Sequence, residues 1–455
     1  MRTLDLDREA NKLNYPSTSA KTLQARAHEL IPGGCHTYAK GDDQYPISAP
    51  GFIARGAGCR VWDVDGNEYI EYGMGNRAVA LGHGYAPVVQ AAREALANGC
   101  NFTRPSPIEV ECAEQFLGLI DGAEMVKFCK DGSDATSGAV RLARAYTGRD
   151  LIACCDHPFF SVDDWFIGTT QMNAGIPEAI RRLTLSFRYN DLASAKALFD
   201  QYPDQIAALI LEPVRTEVPH ANYLSDLRDL CHANGALLIF DEMITGFRWS
   251  NGGAQQVYNV VPDLSAWGKA MANGFSVSAL AGKREFMRLG GLYHYDKPRV
   301  FLLSTTHGAE THALAAAIAT MKVYSKEAVV DHLHRQGLRL KSLMDQVIER
   351  HGLREFVRTI GHPCCLLYGT LDQDHKPSQA FRTLFLQEMI KRGVIMPSLV
   401  VSYSHQDEDI ELTIEAIDGA LRIYRRALED GVNRYLVGRP SEGVYRHYNR
   451  PETKA

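Results

Sequence analysis

The chain has 455 residues, with 49 Lys and Arg against 54 Asp and Glu, for a formal net charge of −5. Hydrophobic residues at 45% and charged residues at 23% fit an ordinary folded protein and exclude wholesale disorder. The balance lacks the basic excess that nucleic-acid phosphate would call for, and no apolar run approaches the ~20 residues that span a bilayer.

The N-terminal stretch MRTLDLDREANKL is charged and has no signal-peptide core. A helix is predicted near Thr22–Leu30, ended by Pro32-Gly33-Gly34. A hairpin-like piece follows, Phe52–Ala54 and Arg60–Trp62, with Asp65-Gly66-Asn67 as the turn before Glu68–Tyr72. Helical spacing begins at Pro87, and a second helix is expected from about Pro107 to Ile120. The middle then alternates. Strands are expected at Met125–Cys129, Leu151–Cys155, Ala207–Leu211 and Ala236–Phe240, with helices at Ala135–Tyr146, Leu192–Phe199 and Leu224–Ala233. Short apolar strands without polar alternation, separated by helices, predict an α/β fold with a mostly parallel sheet covered on both faces. After a helix at Ala313–Tyr324 the pattern loosens into helices near Ala328–Arg350 and Ala380–Lys391 and strands near Cys365–Tyr368 and Val394–Met396. That reads as a smaller α+β domain.

Ten cysteines at irregular spacing give no C-x-x-C pair and no zinc pattern; buried free thiols in a reducing, cytoplasmic compartment account for them. No metal site is expected. His307 and His312 are off the i,i+4 face that helical ligand pairs use, and His83 lies in a Gly-flanked turn.

In open α/β sheets ligands sit at the carboxyl ends of the strands. The strand Ala236–Phe240 ends in Asp241-Glu242-Met243, where an ionised carboxylate is costly unless something cationic meets it. A helix N-cap or an ion pair with Arg248 would also explain Asp241. Further on, Leu264-Ser-Ala-Trp-Gly-Lys269 ends an apolar run in one lysine with no charged neighbour within five positions. Burial in such a setting favours the neutral amine that forms Schiff bases, although a lone lysine is usually a solvated one. Between a strand and a helix stands Lys130-Asp131-Gly132-Ser133. A helix start there offers free N–H groups to a phosphate, and Ser133 reads equally well as a plain N-cap. A phosphate cradle, a carboxylate at a strand end and a lysine one strand later are together the parts that pyridoxal phosphate needs.

These residues, with Ile31-Pro-Gly-Gly34, Val61-Trp-Asp-Val-Asp-Gly66, Leu81-Gly-His83, Val140–Arg149 and Glu212-Pro-Val214, give the chain its likeness to a known family. The run from Ala236 to Arg248, with Gly268-Lys269 twenty residues later, is the most specific part. The chain resembles the class III aminotransferases of pyridoxal-phosphate fold type I, and among them the glutamate-1-semialdehyde 2,1-aminomutases. The resemblance implies a large cofactor-binding domain at 81–325, an N-terminal segment at 1–80 that packs with the small domain, and a C-terminal small domain at 326–455. It implies that Lys269 holds the cofactor aldehyde as a Schiff base and Asp241 the pyridine nitrogen. Glu212 and Met243 belong to the cofactor pocket, Gly132 and Ser133 to the phosphate. Thr305, in Leu303-Ser-Thr-Thr-His307, matches the threonine that reaches the phosphate from the partner subunit, which implies a homodimer with shared active sites.

The departures gather where substrate would sit. Phe159 stands where the family has a ring-stacking tyrosine, and reads equally as a core aromatic. Lys40 stands where the aminomutases have a carboxylate-binding arginine, and lysine offers a point charge where arginine offers a fork. Gly75-Asn76 replaces a Ser-Trp pair and is followed by a new cation, Arg77. Lys40 and Arg77 are the candidate substrate residues, and either reads also as a solvated surface charge. The expected reaction is therefore transamination, from a small-molecule amino donor to the aldehyde or ketone of a small polar metabolite, acidic or sugar-like. Intramolecular transfer of the aminomutase type is the alternative, and a non-catalytic scaffold is an alternative of another class. Gly56-Ala57-Gly58 imitates a dinucleotide fingerprint but neither follows a buried strand nor opens a helix.

Overall fold

Exposed and half-buried side chains alternate along β1 (Ile53–Ala57), which pairs antiparallel with β2 (Arg60–Asp63), and β2 with β3 (Glu68–Glu71). Gly56-Ala57-Gly58 thus turns a ribbon and opens no helix. The turn from β2 to β3 is tied by Asp63, whose Oδ1 accepts from the Asp65 and Asn67 amides at 3.0 and 2.8 Å, while Gly66 takes φ +89°. These strands appear in the computed structural model, which describes residues 20–156, 159–214, 216–293 and 296–446. Residues 1–19, part of the expected N-terminal segment, lie outside the described residues.

The described residues divide into two units, one of residues 20–86 with Asp331–Val444, the other of Pro87–Val330 with residues 445–446. The second unit is built on seven strands: β4 (Met125–Cys129), β5 (Leu151–Cys155), β6 (Thr184–Phe187), β7 (Ile206–Leu211), β8 (Leu237–Asp241), β9 (Leu264–Trp267) and β10 (Ser278–Gly282). Their order is β4-β10-β9-β8-β7-β5-β6. Neighbours from β9 to β6 are parallel, and β10 alone runs against both of its neighbours. Every residue of β7 and β8 is buried, as expected of strands covered on both faces. Helices Gly132–Thr147, Leu192–Gln201 and Tyr223–Ala233 alternate with the strands. Since β4, β8 and β9 run in one direction, their carboxyl ends share one edge of the sheet, and the segments singled out in the sequence follow those ends.

In the first unit, β11 (Val357–Ile360) and β12 (Leu367–Thr370) form an antiparallel pair, and β13 (Val394–Ile395) adds to β3 in parallel. Helices Val329–Arg350, Gln379–Ile390 and Asp407–Asp430 complete it. All ten cysteines are free thiols, and among the described residues no helix is long and apolar enough to cross a membrane.

Candidate active site

Asp241 is the last residue of β8 and only 2% exposed. Its Oδ1 accepts from the Met243 amide at 2.9 Å. Burial pushes its carboxyl up to about 7; the charge of Glu212, next after β7, raises it further and that of Lys269 opposes the rise. Asp241 therefore caps no helix, and the cation acting on it is Lys269. The adjacent Glu242 is also buried and pushed up to about 7, but its role is structural. Both of its oxygens are used, accepting from the amides of Ala254 at 2.9 Å and Gln255 at 2.7 Å and from the Thr245 hydroxyl.

Lys269 follows β9, whose Ala266 pairs with Asp241 across the parallel ladder. It is half-buried, with φ of +44°, a left-handed conformation that costs an ordinary side chain about 1–2 kcal/mol. In the second unit only two other described residues besides Gly, Asn and Asp share this sign, Phe247 and Leu303, and both lie in segments singled out above. The strain is held by packing around Trp267, fully buried two residues earlier, with edge-on contacts to Phe116 and Phe247. Gly246 makes this possible, because a Cβ there would stand 2.6 Å from the indole and 2.8 Å from the Glu242 carbonyl oxygen. Gly246→Ala is expected to cost about 1–3 kcal/mol and to lower the melting temperature by several degrees in a thermal scan.

Met243 fills the space between the lysine and the helix Gly132–Thr147. A Cβ on Gly132 would come within 2.9 Å of its sulfur, and one on Gly268 within 2.8 Å, so both glycines are needed for its close approach. The helix is capped by Asp131, whose Oδ1 accepts from the amides of Ser133 at 2.8 Å and Asp134 at 3.1 Å. The cap is thus Asp131 and not Ser133, which is the second residue of the helix. The Ser133 hydroxyl instead accepts from the Val162 amide at 3.1 Å, leaving its proton to donate. Beside the cap, Lys130 is ion-paired with Glu310, whose carboxyl that bond holds below its usual range.

Of the remaining candidates, Phe159 is 51% exposed and meets Phe166 edge-on at 5.8 Å. Thr305 is exposed, in the loop after Leu303. Lys40 and Arg77 belong to the other unit. Lys40 is exposed, and Arg77 donates from Nε to Cys365 Sγ at 3.3 Å. Met74, Gly75, Asn76 and Arg77 all have positive φ, from +43° to +73°, a strained left-handed turn where the family's Ser-Trp pair would stand. Of the three histidines set aside as metal ligands, two have carboxylate partners, His83 with Glu71 at 2.6 Å and His307 with Glu310 at 3.0 Å, and the third, His312, meets Phe275 edge-on at 6.4 Å.

The set fits pyridoxal phosphate. A buried acid with a raised pKa beside a lysine suits a cationic ring nitrogen and an aldehyde, and Met243 on its two glycines gives an apolar floor. At the phosphate end the Ser133 hydroxyl keeps a proton that could go to an anion, while Asp131 holds two amides that an anion would otherwise use.

The family model for aminotransferase class-III matches residues 38–421. A glutamate-1-semialdehyde 2,1-aminomutase of Syntrophomonas wolfei subsp. wolfei is 35% identical over 423 residues, 88% of this chain and 97% of its own. Among solved structures, the pyridoxal-phosphate internal aldimine form of the FumI protein of Sphingopyxis sp. MTA144 is similar with a TM-score of 0.83 and 29% identity, over 93% of this chain and 98% of that one. A transaminase with pyridoxal phosphate bound is similar with a TM-score of 0.81 and 25% identity, over 90% and 98%.

Proposed function

The chain belongs to the class-III aminotransferases, pyridoxal-phosphate enzymes of fold type I, and on that premise we propose that it is an aminomutase, moving an amino group between adjacent carbons of one small amino aldehyde. The carrying observation is the 35% identity, over nearly the whole of both chains, to an enzyme named for that reaction on glutamate-1-semialdehyde.

When bound, the cofactor supplies an electron sink for the charge left on a substrate carbon that loses a proton. Lys269 would hold its aldehyde covalently and, once released, move a proton between neighbouring carbons as a general base and acid. Asp241 would keep the ring nitrogen's proton in place. Met243 would exclude water from one face, with Gly132 and Gly268 letting it close on the ring. Ser133 would donate to the phosphate.

Donor-dependent transamination is the second reading, favoured by Lys40 in the register of the aminomutases' arginine and by Gly75-Asn76 in place of their Ser-Trp pair, with the new cation Arg77 after it. Purified holoenzyme given glutamate-1-semialdehyde with no other amine is expected to release the isomer aminated at carbon 1, and Lys40→Arg to lower KM for that acidic substrate. Turnover that appears only on adding a separate amino donor would establish the second reading. We also propose a homodimer, with Thr305 turned toward the partner's site. The exposure of Tyr293 at 86%, Phe301 at 69% and Leu292 at 68% near that loop supports it, and sedimentation tests it.

A further inference from the structure

Three donor side chains within the first unit, none of them assigned a part in amino transfer, converge. His334 lies on the helix Val329–Arg350, and His362 and Cys364 flank Pro363 in the turn that leads into β12. One ligand atom from each, two imidazole nitrogens and a thiol sulfur, lies within 4.8 Å of the other two. Among the described residues no other three or more His, Cys, Asp or Glu side chains come together in this way. His362 Nδ1 is 3.2 Å from Cys364 Sγ, and the two rings stand 4.8 Å apart at 70°, turned edge to face.

The backbone is built for this approach. Gly337 is one helical turn after His334, on the same side of the helix. A Cβ on it would lie 1.8 Å from the Pro363 carbonyl oxygen, so only glycine lets the helix come this close to the His-Pro-Cys turn. Glycine inside a helix costs about 1 kcal/mol relative to alanine, and here that cost coincides with the point that brings His334 to the other two donors.

We propose that His334, His362 and Cys364 form a three-ligand site for a borderline-soft transition metal ion, Zn2+ in the first instance, with a fourth position open. Metal–nitrogen and metal–sulfur bonds of about 2.0 and 2.3 Å about a tetrahedral ion set donors ~3.4–3.6 Å apart, so the 3.2 Å pair is nearly in place and a modest side-chain rotation brings in the third. Two imidazoles and a thiolate suit zinc, and they disfavour magnesium or calcium, which take oxygen. On binding, the Cys364 S–H bond breaks, its proton passes to solvent and the sulfur's electron pair forms the metal–sulfur bond. The imidazoles give their lone pairs without further proton release. The ion would tie the helix to the turn that carries Cys365, the residue that accepts from Arg77.

Chelator-treated holoenzyme is titrated with Zn2+ by calorimetry and with Co2+ by absorbance difference. Expected are one ion per chain, a sulfur-to-cobalt charge-transfer band, and a Zn2+-dependent rise in melting temperature. His334→Ala, at a partly exposed helical position where alanine is well tolerated, is expected to weaken Zn2+ binding at least ~10-fold and abolish that rise, with the protein still folded. Cys364→Ser removes the charge-transfer band; should its buried site compromise folding, His334→Ala carries the test alone. Folded wild-type protein without the band, or undiminished Zn2+ affinity in His334→Ala, overturns the proposal. Neither outcome depends on which amine is transferred.

Discussion

Lys269→Ala is expected to lower turnover by on the order of 10³-fold or more, since it removes both the covalent hold on the cofactor and the group that moves the proton. The visible absorbance of the bound cofactor should be lost or shifted with it, while the melting temperature of the cofactor-free protein stays close to the wild type or rises. That last sign follows from the backbone. Residue 269 sits at φ +44°, and alanine meets the same strain with a shorter side chain to order. Lys269→Arg keeps the charge and cannot form the imine, so it separates the two roles: it should retain Asp241's cationic neighbour and still lose the absorbance. Full turnover in either variant would remove Lys269 from the chemistry.

That such an experiment can be designed at all owes much to local pattern. Strand β5 follows from a continuous apolar run of five residues and β4 from one broken only by the exposed Lys127, and both have the expected bounds, Leu151–Cys155 and Met125–Cys129. The lysine and the acid at the ends of β9 and β8 stand out because charge after an apolar strand is physically expensive. Elements with weak side-chain signatures were not legible. β10 is Ser-Ala-Leu-Ala-Gly and is fixed by partners on both sides; β6 has only four residues. The helix Asp407–Asp430 is a different case: Ile410, Ile417, Leu421 and Tyr424 turn inward at helical spacing with Thr413, Ala416, Ala420 and Ala427 between them, and Gln406 and Asp409 form a capping box at its start, so its signal is present in the sequence although no helix was assigned there. At the site, the Asp131 cap and the contact of Met243 with two glycines depend on tertiary distances that no spacing encodes. The same holds for His334, whose two companions lie in a turn beyond the end of its helix.

Asp241→Asn should separate stability from activity in the opposite direction to most active-site changes. The Asp241 carboxyl titrates at about 7 in the folded chain against an ordinary 3.8, chiefly because it is buried, with the Glu212 and Glu242 charges adding and Lys269 opposing. The folded state thus holds that proton more tightly than the unfolded one. Stability from this group is intact near pH 4, falls as pH rises toward 7, and is flat above, a loss on the order of a few kcal/mol at pH 8. Asparagine carries no charge to desolvate and keeps an oxygen for the Met243 amide, so the cofactor-free variant should melt several degrees higher than wild type at pH 8, by less at pH 5, and nearly equal to it at and below pH 4. Bound cofactor should erase or reverse that advantage, since a cationic ring nitrogen stabilises the carboxylate and not the amide. Turnover should fall by about 10²–10⁴-fold. Glu242→Gln provides the contrast. Glu242 also titrates at about 7, yet both of its oxygens accept hydrogen bonds, and an amide N–H in place of one oxygen would face a backbone donor. That variant should melt lower at pH 8, not higher. If both variants shift melting the same way, the raised carboxyl of Asp241 is not a destabilising charge awaiting a cation, and its assignment opposite the cofactor nitrogen loses its physical basis.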